Sequence, residues 1–79
     1  MKTFIFGGTR EQSESYKNQN FLFSAALVKD SRCLIGVGPC EVHLVGTYKR
    51  NPEWESVRRE IGTLRDFGLV TVHIEEWAE

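Results

Sequence analysis

The segment 51–67, NPEWESVRREIGTLRDF, constrains the fold more than any other stretch, because its pattern fits a helix with one buried face. Asn51 suits an N-cap and Pro52 suits the first helical position, where a missing N–H costs nothing. Glu53 and Glu55 would sit in the first turn, where the helix dipole favours anions. Trp54, Val57, Ile61 and Leu64 fall at i, i+3, i+7 and i+10, the spacing of a single apolar stripe. Glu55 and Arg59 would pair outside at i,i+4. Gly68 suits the left-handed position that ends a helix, with Leu69 reaching back to Leu64.

The remaining apolar residues come in short runs. KTFIF (2–6), NFLFSAALVK (20–29), CLIGV (33–37), EVHLVGTY (41–48) and LVTVHIEEW (69–77) read as strands, divided by Gly7-Gly8, by the Asp30-Ser31 turn and by Gly38-Pro39. The expectation is one α+β domain over 1–79: a small, mostly antiparallel sheet, curled if it closes on itself, in the order β-β-β-β-α-β, with one amphipathic helix packed on it. Between the first two runs, TREQSESYKNQN offers Tyr16 as its only large apolar side chain. The segment could hold a helical turn or two, but a helix there would have no apolar stripe to dock, so 7–20 is expected to be a polar connection, mobile in the isolated chain.

One feature does not fit a sheet covered by a single helix. If Asp30-Ser31 closes a hairpin, Phe21, Phe23, Ala25, Leu27 and Leu34 share one face, and Leu22, Ala26, Val28, Cys33, Ile35 and Val37 share the other. A sheet wetted on one side should alternate. The second face must be covered by a curled sheet, by segment 7–20, by a second copy of the chain or by another protein.

Composition then excludes several classes. The chain is 41% hydrophobic with a net charge of −1, a folding composition without the basic excess of a general nucleic-acid binder. No run approaches the length of a membrane span, the N-terminus lacks a signal-peptide core, and two cysteines make no disulfide framework, so a cytoplasmic setting is expected. Cys33, Cys40, His43 and His73 make a poor zinc set, because Cys40 and His43 lie three apart on a strand and face opposite ways. No metal and no cofactor are expected. Cys40 with either histidine lacks a third residue to orient the base, so no enzyme activity is expected. FIFGGTR (4–10) looks like the first strand and glycine turn of nucleotide-binding α/β enzymes, but the segment that follows is polar rather than an apolar helix.

What remains is a non-enzymatic module that binds another protein. In size and plainness the chain is similar to small single-domain inhibitors carried by phages, anti-CRISPR proteins among them; that similarity is of scale and composition, and no motif carries it. The expected partner surface is segment 7–20, with Tyr16 as anchor and Arg10, Glu11, Glu14, Lys17 and Asn20 around it. The alternative is an RNA- or nucleotide-binding domain using Gly7, Gly8, Arg10 and the helix arginines Arg58, Arg59 and Arg65.

Overall fold

A computed structural model describes residues 2–77; Met1, Ala78 and Glu79, at the ends of the expected 1–79 domain, lie outside the described residues. The chain runs β1 (Lys2–Gly7), α1 (Arg10–Gln19), β2 (Ala26–Leu27), a 3-10 turn (Ser31–Leu34), β3 (Cys40–Gly46), a second 3-10 turn (Tyr48–Arg50), α2 (Trp54–Asp66) and β4 (Val70–Glu76). The four strands form one sheet in the order β2-β1-β3-β4, and every neighbouring pair is parallel.

This corrects the expected fold. The sheet is all-parallel rather than mostly antiparallel, it is flanked by two helices rather than one, and the order β-β-β-β-α-β gives way to β-α-β followed by β-α-β. The physical reason lies in β1 and β3, which send Phe4, Phe6, Val42 and Leu44 to one face and Ile5 and Val45 to the other. Strands apolar on both faces belong to a parallel sheet with helices on both sides, and each parallel step needs a crossover. Segment 10–19 is that crossover, a helix on the sheet face that α2 leaves open. The expected hairpin at Asp30-Ser31 is absent because the Asp30 carboxylate accepts from the Arg32 N–H at 3.0 Å and starts a 3-10 turn. Cys33 therefore lies in that turn, and the pairing expected over 20–29 shrinks to Ala26–Leu27.

Two cores sit on the two faces. Phe4, Phe6, Val42 and Leu44 point to one side and pack with Val57, Ile61 and Leu64 of α2. Ile5 and Val45 point to the other and pack with Tyr16 of α1 and Ala25. Trp54 completes the α2 side, stacking on Phe6 with ring centroids 6.1 Å apart and meeting Tyr48 edge-on at 4.9 Å. On β4, Val70 and Val72 are half-buried, whereas Ile74 is 63% exposed at the sheet margin.

α2 begins later than expected, at Trp54 with Glu53 as its N-cap, so Asn51 and Pro52 lie before the helix; the signals at its other end are realised. Gly68 adopts φ +69 after the helix, its N–H donates to the Arg65 carbonyl at 2.9 Å, and the Leu69 N–H donates to the Leu64 carbonyl at 2.8 Å. This is the double bond of a Schellman end. Glu55 pairs with Arg58 at 2.8 Å rather than with Arg59. Among the described residues no helix is long and apolar enough to cross a membrane.

Two substitutions test the α2 packing. Ile61→Asp is expected to abolish folding, because Ile61 is 4% exposed within the α2 core, and the substitution removes its apolar packing and buries a carboxylate. Gly62→Ala should stabilise the protein by about 0.5–1 kcal/mol, because Gly62 lies inside α2 and an added Cβ meets nothing within 4 Å. Urea midpoints read both, and a Gly62→Ala midpoint below that of the parent would mean the helix surface at this point is not open.

Candidate functional site

In open parallel sheets the chain leaves two adjacent strands in opposite directions at one place, and a crevice opens outside their carboxyl ends. Here that place lies between β1 and β3. From β1 the chain passes through α1 to β2 on one side; from β3 it passes through α2 to β4 on the other. The strands are in register up to Gly7 opposite Val45, so the Gly7-Gly8-Thr9 turn and the Thr47–Asn51 segment rise side by side.

Side chains of this protein knit the two turns together. The Gln12 carbonyl oxygen accepts from the Gly8 N–H at 2.9 Å and from the Thr47 N–H at 3.0 Å, while its amide nitrogen donates to Thr47 Oγ1 at 3.1 Å. Asn51 donates through Nδ2 to the Gly7 carbonyl at 2.9 Å and accepts from the Glu53 N–H, also at 2.9 Å. Asn51 was expected as the cap of α2; it caps the turn before that helix and binds it to the end of β1. The turns are so close that a Cβ on Gly8 would lie 2.6 Å from the Thr47 carbonyl oxygen.

Beside this clamp is a cavity of about 410 Å³. Gly7, Thr9, Arg10 and Ser13 form its β1–α1 wall; Leu27, Val28 and Lys29 form its β2 wall, and Asn51 closes the side toward α2. Thr9 caps α1, with Oγ1 accepting from the Gln12 N–H at 3.2 Å, so the positive end of the helix dipole faces this edge. Arg10 lies in its first turn, exposed and paired with Glu14 at 2.9 Å. Lys29 is exposed at the end of the β2 segment, and Lys49, beyond β3, pairs with Glu76 at 3.4 Å.

The residues expected to form a partner surface are thus five positions of α1 plus Asn20, its C-cap. Arg10 reaches the crevice. Glu11 and Glu14 are exposed, and Lys17 is half-buried. Tyr16 is not a free anchor: it is 8% exposed within the core, and its hydroxyl lies 2.9 Å from His43 Nδ1 on β3. Burial, reinforced by the Glu75 carboxylate, pushes the Tyr16 phenol up, so it stays neutral. Burial first, and then the neighbouring His73, hold His43 below the ordinary imidazole range. The Cys40 thiol is raised by burial on the α2 side, where it does not meet His43. The α2 residues Arg58 and Arg65 border a separate depression with Ile61 and Val72 and do not reach the Gly7-Gly8 turn.

Sequence reasoning missed Gln12, Ser13, Lys29, Thr47 and Asn51 as site residues. One signal was present. Thr9-Arg10-Glu11-Gln12 has the form of a capping box, which marks a helix start even without an apolar stripe behind it. Comparison of the chain with protein families, with curated proteins and with solved structures finds no match among any of the three.

Gly8→Ala should destabilise the protein by more than about 2 kcal/mol, since the new Cβ meets the Thr47 backbone carbonyl at 2.6 Å as well as the Thr47 hydroxyl, and the backbone cannot swing aside. Gln12→Ala, which strips the acceptor from two N–H groups but adds no clash, should cost about 1–2 kcal/mol. Equal midpoints for Gly8→Ala and the parent in chemical denaturation would show that the two turns are not held in contact.

Proposed function

We propose that the crevice outside β1 and β2 binds a small phosphate-bearing ligand of the nucleotide class. One observation carries the reading: the cavity lies at the carboxyl edge next to the point where the strand order reverses, with the α1 N-terminus, Arg10 and Lys29 on its walls. The positive end of α1 favours an anion there, and Leu27 and Val28 give an apolar wall for a base or ring. The lining contains no carboxylate, imidazole or thiol, which suits binding rather than turnover. Two free thiols fit the cytoplasmic setting expected from the sequence.

Calorimetric titration with ATP and with inorganic pyrophosphate tests this. Binding should weaken as salt rises. Arg10→Glu and Lys29→Glu should each lower affinity at least about fivefold, whereas Arg59→Glu on α2 should leave it unchanged. Arg10 is exposed, so its loss should shift stability by less than about 1 kcal/mol. Affinity that ignores both crevice charges, or no heat with either probe, overturns the reading.

A second reading, occupation of another protein's surface, is favoured by Phe21 and Phe23. Both are exposed, and they meet edge-to-face at 6.0 Å just beyond α1. Phe21 also sits at φ +55, in the position where a helix end ordinarily places glycine. Phe21 is an exposed aromatic held in left-handed backbone whose ring contact is with the equally exposed Phe23, and exposed aromatics of this kind anchor interfaces. Glu11, Glu14, Lys17 and Asn20 would flank it. Phe21→Gly should stabilise the isolated protein by about 1 kcal/mol by relieving the backbone. A lower melting temperature for that variant would show that the phenyl ring packs within the chain after all.

A further inference from the structure

We propose that Glu41, His43 and His73 form a binding site for a divalent transition-metal ion of the zinc class, on the open part of the sheet face that α1 covers elsewhere.

The site follows from strand register. Glu41 and His43 are two apart on β3 and so point to the same side, and His73 on β4 lies directly opposite His43. That side is the one on which α1 packs. The β4 residues Thr71, His73 and Glu75 are nevertheless exposed, so the histidines border covered and uncovered sheet. The two imidazoles are stacked, with centroids 4.6 Å apart and planes 16° apart. The Nε2 atom of each faces a different oxygen of Glu41, at 3.9 Å in both cases. These separations are too long for hydrogen bonds. Three donor atoms therefore converge, all within 4.8 Å of one another, without bonding to each other. Ligands of a tetrahedral ion stand about 3.3 Å apart, so the cluster must contract by well under 2 Å. The half-exposed side chains of Glu41 and His73 can make that adjustment by rotation about their side-chain bonds.

A second observation points the same way. In metal sites the ring nitrogen that does not bind the ion is usually held by a hydrogen bond that fixes the tautomer. Tyr16 Oη stands 2.9 Å from His43 Nδ1 and leaves Nε2 facing Glu41. When the ion is bound, Nδ1–H donates to Tyr16 Oη. Two imidazoles and one carboxylate select the zinc-to-copper end of the divalent series over magnesium or calcium. Three protein ligands leave one position for water or an exogenous ligand. His43 and His73 are the only histidines in the chain, so metal bound through imidazole has no other place to go. The set differs from the one excluded on sequence grounds, in which the cysteines were to ligate: Cys40 faces α2, while Glu41, not weighed as a ligand, faces the histidines.

The test is titration of the intact protein with Zn²⁺, and with Co²⁺ for its visible absorption, in a non-chelating buffer. One ion per chain is expected, with the intense visible bands of four-coordinate Co²⁺ and a melting temperature that rises with Zn²⁺. His73→Ala and Glu41→Gln should each lower Zn²⁺ affinity at least about tenfold, with unchanged melting in chelator because both side chains are partly exposed. Tyr16→Phe should weaken binding while keeping the one-to-one stoichiometry. No binding at about 0.1 mM Zn²⁺, a concentration that would half-fill a site with a Kd of that value, overturns the proposal. So does binding that survives His73→Ala, or binding lost instead with Cys33→Ser.

Discussion

The fold depends on how a nearly stripe-less helix is held on a sheet. α1 buries one aromatic, Tyr16, and one small polar residue, Ser13. Ordering its ten residues costs of order 10 kcal/mol in backbone entropy, far more than one tyrosine returns. Hydrogen bonds and close approach supply much of the difference. Gln12 bridges Gly8 to Thr47, the Tyr16 hydroxyl meets His43, and Ser13 Oγ comes so near the sheet that a Cβ on Gly7 would be 2.7 Å from it. Thr9 caps the start, and the Leu22 N–H bonded to the Lys17 carbonyl at 2.9 Å closes the end. Without α1 on this face, Ile5 and Val45 would be open to water, and the crossover that makes β1 and β2 parallel would have no surface to rest on.

Small residues make that docking possible. Gly7, Gly8 and Ser13 let helix and sheet approach to where polar side chains can span the gap. Gly46, at φ +63, turns the end of β3 beneath Gln12, whose carbonyl oxygen would lie 2.3 Å from an added Cβ. A helix docked by polar contacts is more demanding of geometry than one docked by leucines, since a hydrogen bond fails within about half an ångström while an apolar contact slides.

Legibility in the sequence divides along the same line. α2 announces itself through the stripe at Trp54, Val57, Ile61 and Leu64 and through Gly68, because its stability comes from apolar burial and a glycine end, both of which leave patterns. β1, β3 and β4 were also visible as runs over 2–6, 41–48 and 69–77. α1 was not, because a lone Tyr16 has no periodicity; only the Thr9–Gln12 capping box marked it. Losing that one helix changed the fold reading from parallel to antiparallel, since strands joined without a crossover must pair as hairpins. The two-faced hairpin expected over 20–37 does not form, and Phe21, Phe23 and Ile35 lie exposed; it is β1 and β3 that are apolar on both faces, and segment 7–20, one of four coverings considered, covers the second of them. The metal ligands stayed hidden for a related reason. Both histidines were weighed, but with the cysteines as co-ligands; that His43 and His73 stand side by side with Glu41 on the same face follows only from the parallel pairing of β3 with β4.

One helix face governs both proposed sites. Gln12 and Tyr16 are four residues apart and therefore lie on the same side of α1, one turn from each other. The first fixes the turns beside the crevice; the second fixes the ring of His43. Both contacts run from the helix to β3 or to the turn that follows it. A shift of α1 along its axis by even an ångström would lengthen both sets of hydrogen bonds together, whereas an apolar helix could absorb that shift by repacking. The small polar crossover, the least conspicuous part of the sequence, is thus the element that sets the geometry of the crevice at one end and of the histidine pair at the other.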